Sequence, residues 1–282
     1  MQLSGGLGLF DVIGSGGAIA PSLLCVALWE MLWPEHKFNV PFLRRWTSNF
    51  SLFAISLGLS ALLAPTFAFL TKAVLDHSPL RWSFGDVGFW AHLAVACLVL
   101  DLLNYVLHRA MHRTPLLWRL HALHHTDVAL DVSTMVRHHP LEGIAAALFM
   151  GVGGALLGCT PFEVAVYGAL ETLVQTIAHA DVRVPQSIDR FARQVFVTPG
   201  YHRIHHSSER AETDSNYGQA FVIWDRLLGT CGGYADDARG AIEFGLKKFR
   251  DRHSQRLDQL LLLPVNDFRY DRENGATQKK SR

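Results

Sequence analysis

The sequence has little charge and no paired cysteines. Charged residues make up 18% of its 282 positions against 49% apolar, and the mean hydropathy is +0.15. That balance argues against an ordinary soluble domain and for a chain that lives in a bilayer. Lys and Arg number 26 and Asp and Glu 25, a net charge of +1, so the strong basic excess of a nucleic-acid-binding chain is missing. The four cysteines, Cys25, Cys97, Cys159 and Cys231, stand far apart with no CxxC. This spacing excludes a zinc ribbon, an iron–sulfur cluster and a c-type haem, and the four are expected to be small buried apolar groups. No basic stretch precedes the first apolar segment. That segment is therefore expected to stay as an anchor and not to be cleaved as a signal peptide. The run Gly14-Ser15-Gly16-Gly17 lacks the strand-turn-helix setting of a dinucleotide site and reads as helix packing. No repeat or domain boundary is visible, so 1–282 is read as one domain with a disordered charged tail over 271–282.

Apolar stretches lie at 14–33, 50–75, 87–107, 141–158 and 162–180. A helix needs about 20 residues to cross the hydrocarbon core. The last two stretches barely reach that length and are joined by Cys159-Thr160-Pro161, a tight helical hairpin. Two full spans and one re-entrant hairpin both remain open there. Segments 108–140 and 181–250 are polar in composition, and 108–140 is dense in His, Arg and Asp. Such residues do not sit in hydrocarbon without partners, so these segments form a cap. The expected architecture is an all-α integral membrane protein, four to five apolar helices under a helical cap that holds a histidine di-metal site. Lys37, Arg44 and Arg45 follow the first stretch, and Arg109, Arg113, Arg119 and Arg137 follow the third. Their distribution places the cap on the cytoplasmic side.

The 15 histidines are grouped. His108 and His112 form HxxxH, His121, His124 and His125 form HxxHH, and His202, His205 and His206 form a second HxxHH. Helical positions i, i+3 and i+4 share a face, so each group presents two or three imidazoles in one direction, as a helix does for a metal. Thr114-Pro115 breaks the helix between His108 and His121 and lets two short helices converge. One metal takes about four to six ligands, so eight imidazoles imply two metals. Two more candidates are His139, in Arg137-His138-His139-Pro140, and His179, at the end of the fifth stretch. Glu171 and Gln175 lie on the helical stripe that leads to His179, and polar groups there are costly if they face lipid. They are expected to partner a ligand or carry protons. Asp101 shares a face with Asn104, Tyr105 and His108 and is expected to orient a ligating imidazole. His36, His77, His92 and His253 are isolated and read as structural or exposed.

These residues resemble the fatty acid hydroxylase superfamily, also called the sterol desaturase family. The resemblance runs through Asp101-xxx-Tyr105-xx-His108-Arg109-xx-His112, Leu117-Trp118-xx-His121-xx-His124-His125 and Arg137-x-His139-Pro140. It continues in Thr198-Pro199-xx-His202-Arg203-x-His205-His206, Asn216-Tyr217-Gly218 and Trp224-Asp225-Arg226-Leu227-x-Gly229-Thr230. It covers about Leu100 to Thr230. Asp181 stands where many members carry an asparagine-like residue. The resemblance implies an O2-dependent di-iron enzyme with fatty acyl, sterol or sphingolipid-like substrates. It also implies helical membrane hairpins under a cytosolic cap.

Imidazole suits iron, zinc and copper alike, so the choice of iron, with zinc as a substitute in purified protein, follows the resemblance. The expected reaction is hydroxylation or desaturation of a lipid, with electrons from a separate ferredoxin, cytochrome or reductase. The basic rim of Arg109, Arg113, Arg119 and Arg203 offers such a carrier a docking face. A zinc-dependent hydrolase is the first alternative, disfavoured because such sites mix carboxylates with imidazoles. A metal transporter or sensor is the second, disfavoured because the ligands gather in a cap and are not strung along a membrane path.

Overall fold

The structure is a computed structural model that describes residues 9–38, 40–78, 88–233 and 242–265, with side chains from residue 19 onward. The tail expected at 271–282 lies outside the described residues. Among the described residues every regular element is a helix, and extended pairing is limited to the isolated bridges Pro34 with Val182, Phe196 with Phe221, and Ser207 with Phe244.

The long helices are α1 (Leu9–Leu32), α2 (Phe42–His77), α3 (Phe89–Arg113), α5 (Pro140–Leu156) and α6 (Pro161–His179). Shorter helices lie in the segments expected to form the cap and beyond them: α4 (Pro115–His125), α7 (Gln186–Ala192), α8 (Pro199–His205), α9 (Arg210–Thr213), α10 (Ile223–Leu227) and α11 (Leu257–Leu262). Among the described residues two helices, α2 and α3, are long and apolar enough to cross a membrane. At 17 and 19 residues, α5 and α6 are about 25 and 28 Å long, close to the roughly 30 Å hydrocarbon thickness. The glycine run at 14–17 lies within α1. Packing joins α1 to α6, α2 to α5, and α3 to α4, α5 and α6.

Proline punctuates the fold. Pro115, Pro140, Pro161 and Pro199 each stand in the first turn of α4, α5, α6 and α8, where a missing N–H costs nothing and the fixed φ favours the helix. Thr160 and Glu163 cap α6 reciprocally. The preceding turn closes through Gly158 at φ +79°, with Cys159 N–H donating to Gly154 O and Gly158 N–H to Ala155 O. This is the left-handed cap that glycine supplies. The turn joins α5 to α6, but α5 packs on α2 and α3 and α6 on α1 and α3, so the two helices are linked tightly without packing along one another as the expected hairpin would.

The second helix begins eight residues earlier than the apolar run suggests. Its first turns, Phe42 to Asn49, pack against the polar segment 126–137, with Arg45, Ser48 and Asn49 buried. Arg45 pairs with Asp127 and Asp131 at 2.7 and 2.6 Å. Arg137, fully buried, donates to Leu123 O, Asn49 Oδ1, Thr126 Oγ1 and Gln255 Oε1. This network fastens the segment 126–137 to the foot of α2. Two of the cysteines depart from expectation: Cys97 and Cys159 are buried, but Cys25 and Cys231 are exposed.

Candidate metal centre

The centre forms where the ends of α3 and α6 meet α4 and α8. His108 and His112 lie on the last turns of α3, and Thr114-Pro115 ends that helix and starts α4, which carries His121, His124 and His125. His179 closes α6, and α8 supplies His202 and His205, with His206 at its C-cap. These nine imidazoles fall into two groups of ligand atoms, each within 4.8 Å of one another: His108, His112, His121, His125 and His205, and His124, His179, His202 and His206. All nine are buried.

Hydrogen bonds set which nitrogen faces inward. His108 Nδ1 lies 2.9 Å from Tyr217 O, His205 Nδ1 2.7 Å from Ser215 O, and His179 Nδ1 2.8 Å from Gln175 O. His124 Nδ1 lies 3.3 Å from Arg137 O, and His121 Nδ1 2.8 Å from the Glu142 carboxylate. For His121, His124, His179 and His205 these partners only accept, so Nδ1 carries the proton and Nε2 a lone pair, whereas His108 Nδ1 also lies 2.7 Å from the donating Gln219 amide nitrogen. The lone pairs then meet. His108 and His121 Nε2 are 3.1 Å apart, and His124 and His179 Nε2 are 3.2 Å apart. His112 and His205 Nε2 are buried without a partner.

Facing lone pairs at this distance repel, and a cation between them removes the repulsion. Metal–nitrogen bonds of about 2.1 Å set neighbouring ligands of one ion about 3 to 3.4 Å apart, which matches the observed spacing. The donor set therefore fits two metal ions. Burial depresses the basicity of His124, His125, His202 and His206 well below the usual imidazole range and takes His205 to about 3. Neutral imidazole is the form that binds metal.

His139 is not part of this cluster. The residue before Pro140 caps α5 instead, its Nδ1 accepting from Leu141 N–H at 3.1 Å while Nε2 lies 3.2 Å from Leu261 O. Its extended backbone, φ −68° and ψ 135°, is what proline imposes on the preceding residue, and it turns the ring toward the helix start. We expect His139→Asn, a cap of equal quality, to keep the full metal content by mass spectrometry. Loss of one metal would return His139 to the ligand set.

The neighbouring residue takes the inner position. His138 stacks on His124 with ring centroids 4.3 Å apart, and its Nδ1 lies 2.9 Å from Glu142 Oε1, the same oxygen that binds His121. Against the burial that would lower it, the Glu142 charge holds the His138 pKa above the imidazole norm. Neither His138 nor Glu142 was singled out from sequence, although their i,i+4 spacing after the Arg137 turn is the readable signal.

Asp101 does not orient an imidazole. Its carboxylate accepts from Tyr167 O–H, Ala220 N–H, Phe221 N–H and Trp224 Nε1–H at 2.9 to 3.3 Å. A single carboxylate with four donors pins the 220–224 segment against α3, and the backbone carbonyl of Tyr217 does the orienting of His108. Gln175 contributes on both sides: its carbonyl accepts from His179, and its amide donates to Gln219 O. Glu171 is partly buried two turns earlier on α6 and stands outside both groups. Among the isolated histidines, His36 pairs with Asp181 at 2.7 Å and His92 with Glu163 at 3.1 Å, both structural.

Residues 93–230 match the family model for fatty acid hydroxylase. Among curated relatives, the ornithine lipid hydroxylase OlsE of Rhizobium tropici is 37% identical over 45% of this chain and 37% of its own length. The alkylglycerol monooxygenase of Caenorhabditis elegans is 30% identical over 46% of this chain and 25% of its own. Sphinganine C4-monooxygenase 1 of Arabidopsis thaliana is 31% identical over 55% of this chain and 61% of its own. The chain thus spans less than two thirds of each. No solved structure matches it. The matched stretch contains all nine clustered imidazoles together with His138 and Glu142, and with that pattern and those relatives residues 93–230 of this chain belong to the fatty acid hydroxylase family.

Proposed function

We propose that this protein is a membrane oxygenase that binds two irons in its imidazole cluster and hydroxylates a lipid, with desaturation as the variant outcome. The observation that carries the reading is the position of two groups of neutral, inward-facing imidazoles at the ends of the apolar helices α3 and α6. A lipid chain lying among those helices reaches the centre without leaving the bilayer. Relatives named for hydroxylation of ornithine lipid and sphinganine support the substrate class. Bound irons would supply the activation of O2 that an inert C–H bond requires. The chain's own work is to hold the lone pairs inward. Tyr217 O, Ser215 O, Gln175 O, Arg137 O and Glu142 keep the outer protons in place, and the buried setting excludes water.

The cap is proposed to face the cytoplasm. Arg45 and Arg137 are engaged in the internal network, so the exposed Arg44, Arg113 and Arg119 carry the orienting charge. Arg203 also leaves the proposed docking rim, since it is buried and donates to Val182 O at 2.9 Å. Arg113 and Arg119 remain as the exposed basic face for an acidic electron carrier.

The test is to purify the protein, load iron anaerobically, count metal by mass spectrometry, and supply isotopically labelled O2, a lipid and an electron-carrier protein with its reductant. We expect two irons per chain and one labelled oxygen in the product alcohol, the other atom leaving as water with two electrons and two protons. Zinc alone in the site, with no label in any lipid and no new double bond, would overturn the oxygenase reading in favour of hydrolysis.

A further inference from the structure

The cap has an outward apolar surface that the metal centre does not use. Helix α7 and the turn after it expose Ile188, Phe191 and Val195, and α10 with its cap exposes Ile223, Leu227 and Leu228, Phe191 being 82% exposed and Leu227 67%. Spacings of three and four put Ile188, Phe191 and Val195 on one face, and a spacing of four does the same for Ile223 and Leu227 with Leu228 at the helix end, so these are grouped and not isolated surface residues.

The two segments are fixed to each other. Arg226 donates to Gln194 O at 2.9 Å and Arg193 O at 2.7 Å, Val222 N–H donates to Val195 O at 3.0 Å, and the Phe196 and Phe221 rings lie 5.6 Å apart. Their depth is set by Asp101, which holds Ala220, Phe221 and Trp224. Asp101 precedes His108 by seven residues, about 10 Å along the helix. Val197, Phe221 and Val222 join the same cluster as Leu93, Ala96 and Cys97 of α3. The pair therefore lies beside the apolar length of α3, a helix fit to span the membrane, which itself exposes Val95 and Leu98.

We propose that α7 and α10 form a wedge that inserts among the acyl chains of the leaflet beneath the cap. Bilayer lipid is the occupant on two grounds: the patch is carried by segments that pack on the apolar length of α3, a helix fit to span the membrane, and Arg190 and Arg226 are exposed with it, as headgroup phosphates favour. The wedge adjoins the wall of the metal centre. Gln219, two residues before the Phe221 ring, places its amide 2.7 Å from His108 Nδ1 and receives the Gln175 amide on its carbonyl.

The test uses the full chain with the exposed Cys25 and Cys231 changed to serine. Phe191→Cys, Leu227→Cys and, as a cap control, Glu209→Cys are each labelled with an environment-sensitive nitrobenzoxadiazole probe and reconstituted in phosphatidylcholine vesicles. At 191 and 227 the emission is expected to shift to the blue of position 209, to be quenched by spin-labelled acyl chains, and to be shielded from aqueous iodide. Two variants on separate helices keep the test decisive if one fails to fold. Iodide quenching equal to that at 209 would put the wedge in water and overturn the proposal. So would a blue shift that disappears when the protein is diluted in excess lipid, which would assign the patch to a second copy of the chain. Neither readout involves metal or turnover, so this proposal and the oxygenase reading fail independently.

Discussion

Replacing His121 with alanine is expected to take the protein from two bound metals to at most one and its lipid oxidation to background. His121 sits at the middle of the first group, its Nε2 3.1 Å from that of His108 and 3.2 Å from that of His125. The deletion also strips Glu142 of one of its two imidazole partners, leaving a buried charge with His138 alone. His205→Ala, from the other side of the same group, is expected to have the same effect. Glu142→Gln keeps an oxygen acceptor but removes the charge, and should weaken metal binding by roughly 10 to 100-fold, the usual scale for a residue that orients a ligand. Metal titration with mass-spectrometric counting reads all three. Two metals retained tightly in His121→Ala would remove the first group from the centre.

Arg137→Ala is expected to destabilise the cap by about 3–5 kcal/mol, the scale for removing one member of a buried charged network. The guanidinium is fully buried and satisfies Leu123 O, Asn49, Thr126 and Gln255 at once. Asn49 Oδ1 and Gln255 Oε1 would lose the guanidinium that donates to them in a place water does not reach, while Leu123 O keeps the Thr126 N–H and Oγ1–H. Arg137 also holds Leu123 O and Thr126 Oγ1, which flank His124 and His125, so early unfolding should coincide with metal loss. Denaturant or thermal unfolding in detergent, followed by cap-probe fluorescence, measures this. The exposed Arg119→Ala is the control, with a shift within about 0.5 kcal/mol. Equal stability of the two variants would show that the network contributes nothing net.

Ligand spacing and the helix-breaking prolines were legible because they depend on one helix at a time. HxxxH and HxxHH fix which imidazoles share a face whatever that face meets, and Thr114-Pro115 and Cys159-Thr160-Pro161 end helices for local steric reasons. The same locality explains the misreadings. Arg137-His138-His139-Pro140 offers two adjacent imidazoles, and the strand-like backbone before Pro140 points one to the start of α5 and the other to Glu142 and His124. Nothing in the string of letters states which is which. Asp101 lies on the face of His108 as its spacing indicates, but its partners come from residues 167, 220, 221 and 224.

The sequence by itself determined the helical class, the apolar stretches, the three histidine groups and a ligand count that suits two metals, since periodicity and ligand count are properties of the chain read in order. Only the tertiary structure decided how the imidazoles divide between two groups, which backbone carbonyls face their outer nitrogens, that Glu142 and not Asp101 supplies the carboxylate, and that the foot of α2 packs against the segment 126–137. Those choices depend on which distant segments meet, and long-range packing, unlike helical periodicity, leaves no fixed spacing in the sequence.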